Sequence, residues 1–100
     1  MRVISKQTLR RFWESATGRK DARRALEAWH REVRRAAWTS PQDVRQLYAS
    51  ASVLKGGRVV FNIYGNRYRL VVRINFTQQI VFIRFVGTHT EYDAIDAETI

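Results

Sequence analysis

Alternation of apolar and polar positions is clearest in the last third of the chain. Residues 67–76 and residues 80–86 each form a strand-like run, separated by the turn Thr77-Gln78-Gln79. Successive side chains of a strand point to opposite faces, so a period of two indicates a β-strand. A third run over residues 58–63 leads into the first of these through the turn at residues 64–66. Three strands joined by such short turns predict an antiparallel meander.

The two faces of these strands differ in charge. Along residues 67–76 apolar side chains alternate with Arg67, Arg69 and Arg73, which predicts an arginine-bearing face roughly opposite to the core. Strict alternation divides the next strand into Val81, Ile83 and Phe85 on one face and Ile80, Phe82, Arg84 and Val86 on the other. Such a run is typical of a strand covered on both faces. A charge among apolar neighbours needs a partner, so Arg84 is expected to meet either a ligand or an internal acid such as Asp93.

Before residue 58 the pattern changes to the helical period. Residues 2–4 predict a short strand. A first helix is predicted from a cap at Ser5 to Thr17, ended by Gly18, and a second from Asp21 to about Trp38. Ser40-Pro41 then predicts the start of a third helix, to about Tyr48. The apolar stripe of each long helix follows i, i+3, i+4 and i+7, which indicates core rather than a base-stacking surface: Leu9, Phe12, Trp13 and Ala16, then Ala22, Ala25, Leu26, Trp29 and Val33.

These elements predict an α+β fold of one domain over residues 1–100, with the N-terminal helices packed on one face of a small antiparallel sheet. Residues 49–57 show no periodicity and are predicted to be irregular. The chain has no cysteine, and its two histidines, His30 and His89, are far apart. We therefore expect no metal and no cofactor. With no apolar run of 18 residues or more and no signal-peptide pattern, we expect a cytoplasmic protein that makes no membrane contact.

Charge points to a polyanion as ligand. The 100 residues carry a net charge of +9, and residues 1–90 hold all 18 basic residues against five acidic ones, a net of +13. Such an excess favours the capture of nucleic acid. Arginine greatly outnumbers lysine, and its planar fork suits phosphate. The alternative is a solvated helix surface that happens to use arginine.

Several short segments carry a family resemblance. They are Val60-Phe61-Asn62-Ile63, Asn66-Arg67-Tyr68-Arg69-Leu70, Ile83-Arg84-Phe85-Val86 and Gly87-Thr88-His89-x-Glu91-Tyr92-Asp93. Together with the order β-α-α-(α)-β-β-β, they resemble the HigB toxins of the RelE-like superfamily over nearly the whole chain. The resemblance implies a RelE-like fold and a toxin of a type II toxin–antitoxin system. It further implies an mRNA interferase that cuts message in the ribosomal A site, and a HigA-type antitoxin with a helix-turn-helix DNA-binding domain.

RNA cleavage without a metal needs a base, an acid and cationic groups around the phosphate. His89 is predicted to be the general acid or base, since histidine titrates near neutral pH. Asp93 would either orient it or cap local backbone. The predicted phosphate contacts are Arg84, Arg73, Arg69 and Arg67, with Lys55 from the preceding loop, and Tyr92 would orient the 2′-OH or stack on a base. The alternative is a non-catalytic module that binds RNA or the ribosome, in which His89 satisfies only a loop carbonyl.

Overall fold

The described part of the chain folds as a short strand and three helices, followed by a meander and a short last helix. The computed structural model describes residues 1–15 and 19–100. Its elements are β1 (Arg2–Ile4), α1 (Lys6–Glu14), α2 (Ala22–Arg35), α3 (Pro41–Leu47), β2 (Ser52–Val53), β3 (Arg58–Ile63), β4 (Tyr68–Asn75), β5 (Ile80–Thr88) and α4 (His89–Asp93). Among these residues no helix has the length and apolarity to span a membrane.

Within the described residues five strands form one open sheet in the order β1-β5-β4-β3-β2. Strands β3, β4 and β5 pair antiparallel, which confirms the meander, and β2 adds an antiparallel edge. Strand β1 pairs parallel with β5, with Val3 opposite Val81. The sheet is therefore mixed, and the prediction that it is wholly antiparallel is wrong at this edge. Parallel neighbours need a long connection, and here the helices and the first strands of the meander supply it.

The N-terminal helices lie on one face of the sheet, as predicted, and the α+β class is confirmed. Leu9, Phe12 and Trp13 of α1 are buried, as are the equivalent positions of α2. Trp29 meets Phe61 of β3 edge-to-face, with 5.4 Å between ring centroids. The aromatic stripe is thus part of the core. We call this side of the sheet the helix face; its main strand residues are Val59, Phe61, Ile63, Tyr68, Leu70, Val72, Ile74 and Val81.

Three predicted boundaries differ from the structure or lie outside the described residues. Helix α1 is described to Glu14, and the predicted end at Thr17 and Gly18, with Ala16 on its stripe, lies outside the described residues. Helix α2 ends at Arg35 and not near Trp38, because the chain turns extended at the next residue and buries the Trp38 ring against Phe61, at 6.4 Å and 20°. Residues 49–57 are not irregular throughout, since β2 and a 3-10 turn at Lys55–Gly57 lie within them.

A β-bulge in β5 overturns the predicted division of its side chains. Val72 lies opposite Ile83 but Val71 lies opposite Phe85, so Arg84 has no cross-strand partner. Because one extra residue reverses the alternation, Phe85 moves to the side away from the helices and Val86 packs towards them. A period of two cannot reveal such an insertion. The strand is also less covered than predicted: Val81 and Gly87 are its buried residues, and Arg84 is exposed.

The opposite side of the sheet, which we call the second face, has a small apolar cluster of its own. Val60 and Val71 are buried there with Ala97 of the C-terminal segment. Around them pack Leu54, Phe85, Tyr92, Ile95 and Ile100. The chain after β5 therefore crosses the second face, so the face predicted to carry the arginines is covered along its middle.

Candidate functional site

The register of β3 and β4 places the polar residues of the second face in two groups. Arg58 lies opposite Arg73, Val60 opposite Val71, and Asn62 opposite Arg69. Arginines therefore stand at both ends of the face, with the apolar cluster between them. Arg69 and Arg73 are four residues apart on one strand, about 13 Å at the usual rise. The predicted site is thus divided into two ends, which we call the histidine end and the lysine end.

The histidine end is formed where β5 passes into α4. Thr88 caps α4: its hydroxyl accepts from the backbone N–H of Glu91, while the Glu91 carboxylate accepts from the backbone N–H of Thr88 at 2.9 Å. This capping box fixes the first turn of the helix, on which His89 stands. His89 Nδ1 lies 3.2 Å from Asp93 Oδ2, one helical turn later. The side chains are 54% and 63% exposed, so both are open to a ligand.

Arg69 lies at the same end of the sheet as His89. It pairs across the strands with Gly87, two residues before the histidine. Its Nη1 donates to the carbonyl oxygen of Asn66 at 3.0 Å, which holds the guanidinium near the end of the strand. Gly87 is buried, and a Cβ there would lie 2.5 Å from Cζ of Phe85 and 3.2 Å from Cβ of Glu91. The close packing that positions α4 thus depends on a glycine at this point.

The lysine end gathers Lys55, Arg58 and Arg73. Lys55 is exposed in the 3-10 turn just before β3, and Arg73 is exposed opposite Arg58. Arg58 Nε donates to the carbonyl oxygen of Ile100 at 3.0 Å, so it also holds the C-terminal segment. The sequence analysis did not identify Arg58, because only the strand register shows that it lies opposite Arg73.

Two predicted arginines stand elsewhere. Arg67 precedes β4 and pairs with Asp21 at the start of α2, with 3.1 Å between Nη1 and Oδ2. The prediction that it shares a face with Arg69 and Arg73 is wrong, because Asp21, which also accepts from the Tyr68 hydroxyl, draws the turn towards the helices. Arg84 stands at the bulge and has no hydrogen bond or ion pair within the described residues. Its exposed side chain is solvated, so of the two alternatives an internal acid such as Asp93 is wrong, and contact with a ligand stays a prediction.

Tyr92 and Glu91 connect α4 to the rest of the fold. The Tyr92 side chain packs against the cluster of the second face and is half-buried. Glu91 forms an ion pair with Arg19, with 2.7 Å between Oε2 and Nη2, and Arg19 in turn lies over the Phe12 ring at 4.8 Å. The backbone N–H of Thr88 and then Arg19 hold the pKa of Glu91 below its usual value. Sequence reasoning missed Arg19, since its contact with Glu91 spans 72 positions.

Chemically, the histidine end offers a titratable imidazole, a carboxylate against it and a nearby guanidinium. The lysine end offers fixed positive charge. Among residues 1–15 and 19–100 no group of three or more His, Cys, Asp or Glu side chains is placed to hold a metal ion.

Comparison with known proteins agrees with this fold. Residues 22–95 match the HigB toxin family, described as the RelE-like toxic component of a toxin–antitoxin system. The chain is 26% identical over 97 residues to an mRNA interferase HigB of Escherichia coli O6:H1 (strain CFT073), covering 95% of this chain and 91% of that protein. It is 31% identical over 74 residues to the mRNA interferase toxin HigB of Escherichia coli K12, covering 72% of this chain and 71% of that protein. An mRNA interferase HigB of Shigella flexneri matches equally well.

The chain therefore belongs to the HigB family of RelE-like toxins, which confirms the resemblance found in the sequence. As the toxic component of a toxin–antitoxin system, it has an antitoxin as its partner.

Proposed function

We propose that this HigB-family toxin is an mRNA endoribonuclease whose reaction takes place at the histidine end of the second face, within a single domain of residues 1–100. The relatives' names state this activity, and the family resemblance found in the sequence implies it. The observation that supports this location is the exposed His89–Asp93 pair, with 3.2 Å between Nδ1 and Oδ2. The pair follows the end of β5, where Gly87 lies opposite Arg69 of β4.

The reaction needs no group beyond the chain and the RNA. The ribose 2′-OH attacks the adjacent phosphorus, its proton passes to a base, and the bond from phosphorus to the 5′-oxygen breaks as that oxygen receives a proton. The products are a 2′,3′-cyclic phosphate and a 5′-hydroxyl. His89 supplies one of the two proton transfers, and Asp93 fixes the tautomer and orientation of its ring. Arg69, at this end, stabilises the negative charge that develops on the phosphate, and Arg84 is proposed to reach the same charge from the bulge farther along β5.

The lysine end holds a different phosphate of the same strand. Arg69 and Arg73 are about 13 Å apart at the usual strand rise, too far for both to centre on one phosphate without crossing the apolar cluster. Lys55, Arg58 and Arg73 therefore bind the message and set its direction on the face. Tyr92, which is half-buried, would orient the 2′-OH or stack on a base.

A test of the activity combines purified protein with translating ribosomes, in comparison with free message, and determines the chemistry of the new RNA ends. We expect 2′,3′-cyclic phosphate and 5′-hydroxyl ends. Ends bearing a 3′-hydroxyl and a 5′-phosphate would contradict the mechanism, and intact message in both reactions would contradict the activity. Cleavage on ribosomes alone would support action in the A site.

The antitoxin is proposed to be of the HigA type, with a helix-turn-helix domain, and the toxin to act in the cytoplasm on ribosome-bound message. Its net charge of +9 calls for an acidic partner. Expression of this gene alone should arrest growth, and co-expression of its operon neighbour should relieve the arrest. Harmless expression at a high level of folded protein would contradict the proposal.

The exposure of His89 and Asp93 favours a second candidate. An exposed i,i+4 pair on a helix contributes little energy and often has no chemical role. In that case the second face binds RNA or the ribosome without cutting, and the end-chemistry experiment would find binding with intact message.

A further inference from the structure

Apart from Arg19, which pairs with Glu91 of α4, the charges of residues 1–40 are not part of the candidate site. Residues 1–40 contain 11 of the 18 basic residues and four of the nine acidic ones, a net of +7. The remaining 60 residues have a net charge of +2. Since α1 and α2 cover the helix face, their outer surfaces point away from the second face. Cleavage at His89 does not account for this charge.

The outer surfaces of α1 and α2 enclose a groove. One part, of about 880 Å³, lies between Lys6 and Arg10 of α1 and Lys20, Arg23 and Glu27 around the start of α2. Through Lys6 and Glu27 it continues into a depression of about 440 Å³ farther along α2. The 14 residues of α2 span about 21 Å. We call this continuous feature the helix groove; its cations include Lys6, Arg10, Arg23, Arg31, Arg34 and Arg35.

Among the described residues two carboxylates, Glu14 and Glu27, line the groove against seven cations, so they offset this positive charge only in part. Glu27 is already paired with Arg23, with 2.8 Å between Oε1 and Nε. At the other end, partial burial and then the charges of Lys6 and Arg34 hold the pKa of His30 below its usual value. Arg31 lines the same depression as His30, and the terminal amine and Arg2 stand near it from the N-terminal strand. The groove is therefore a region of positive potential, and the pKa of His30 responds to that potential.

The composition of the groove distinguishes between two kinds of partner. Stable protein interfaces have an apolar centre from which charges are depleted. Interfaces with nucleic acid are more polar and much more positive. The large exposed hydrophobic residues of the described chain, Ile4, Leu47 and Tyr64, do not line the groove, whereas arginines do.

We propose that the helix groove binds the sugar–phosphate backbone of structured RNA, as a second RNA surface on the side of the toxin opposite His89. This proposal rests on the proposed function and adds a second RNA contact to the same toxin. Duplex binding tests the contact without any need for cleavage. The RNA is either the message itself or ribosomal RNA, which present the same backbone.

Binding of a short RNA duplex provides the first test. Arg31→Gln/Arg35→Gln removes two exposed groove cations, and Arg24→Gln/Arg45→Gln removes two exposed cations that do not line the groove. The slope of log affinity on log salt should flatten by roughly 1.8 for the groove pair, at about 0.9 per phosphate contact, and hardly at all for the control. Equal losses would overturn the proposal. So would a groove pair that keeps its duplex affinity and loses antitoxin binding.

His30 provides the second test. A phosphate held beside it favours the charged imidazole, so saturating duplex should raise its pKa in an NMR titration. The His89 resonances should not move when the duplex is added, because the duplex is expected on the other side of the molecule. An unmoved His30 at saturation would overturn the proposal.

Cleavage then identifies the source of the RNA. If the groove binds ribosomal RNA, Arg31→Gln/Arg35→Gln should lower the cleavage of ribosome-bound message alone. If it binds the message, cleavage of free and ribosome-bound message should fall together. If Arg31→Gln/Arg35→Gln cleaves free and ribosome-bound message like the parent, a role of the groove in the reaction is overturned. A parent protein that binds duplex through the groove but cuts neither substrate would refute the proposed activity and leave the second RNA surface standing.

Discussion

The helical layer and the second face of the sheet divide charge and chemistry between them. The helical layer carries a net of +7 within residues 1–40 but presents one partly buried histidine, His30, among cations. The second face carries fewer charges, yet it places His89 against Asp93 at the end of β5. Net charge therefore indicates where a polyanion is attracted, whereas proton chemistry depends on a few groups at fixed distances. The strongest global signal in this sequence lies away from the proposed reaction.

Exchanging each histidine gives the largest expected contrast between the two regions. His89→Gln keeps the size of the side chain and removes its titration, so cleavage should fall about 10²–10⁴-fold, roughly 3 to 5 kcal/mol of barrier. His30→Gln, in the helix groove, should lower cleavage far less, because burial and the neighbouring cations hold the pKa of His30 low and its loss removes little positive charge. Single-turnover rates, with thermal unfolding as a check on folding, decide the matter. Cleavage by His89→Gln within a few-fold of the parent would place the chemistry elsewhere.

The bulge arginine offers the next contrast. Arg84→Gln should lower the cleavage rate about 10- to 100-fold, less than the loss of a buried oxyanion donor because Arg84 is exposed. The pH optimum should stay in place, since arginine does not titrate in the working range. Arg45→Gln removes an exposed arginine from α3 and should leave the rate unchanged. A cleavage rate for Arg84→Gln equal to that of Arg45→Gln would contradict a role for Arg84 in the reaction.

Crowding under α4 can be tested at a glycine. Gly87→Ala places a Cβ 2.5 Å from the Phe85 ring, so Phe85 and α4 must shift, at a cost of about 1–3 kcal/mol in unfolding free energy. Cleavage should fall as well, because His89 stands two residues later. Gly65→Ala meets nothing within 4 Å and should cost only about 1–2 kcal/mol for its positive φ, with cleavage retained. Chemical denaturation and single-turnover assays measure both effects, and full activity in Gly87→Ala would contradict the packing argument.

Two ion pairs of similar length give the smallest contrast. Glu91 pairs with Arg19 at 2.7 Å and also caps α4, whereas Glu27 pairs with Arg23 at 2.8 Å on the exposed surface of α2. Glu91→Gln should lower the unfolding free energy at pH 7 by about 1 kcal/mol, and Glu27→Gln by less.

The effect of Glu91 should depend on pH. Its folded pKa is lowered, so its contribution is present above the unfolded value of about 4.3 and is lost as the pH falls through the folded value. The gap between the parent and Glu91→Gln should therefore close on acidification below about pH 4. A gap that persists at low pH would mean that Glu91 acts through packing.

Much of the fold could be predicted because it depends on local periodicity. The stripes of α1 and α2 and the three strands of the meander follow from side-chain geometry within each element. Long-range contacts left no such trace. Helix α2 ends before Trp38 because the Trp38 ring packs on Phe61. Strand β1 pairs in parallel with β5, which lies more than 70 positions later in the chain.

The sequence by itself determined the fold class, the family and the segment that holds His89 and Asp93, since one helical turn separates those two residues whatever surrounds them. The tertiary structure decided which arginines accompany them. Asp21 turns Arg67 towards the helices, a single inserted residue moves Arg84 out of register, and the register of β3 brings Arg58 opposite Arg73. These outcomes depend on pairing between distant segments, where a shift of one residue exchanges the faces of a strand.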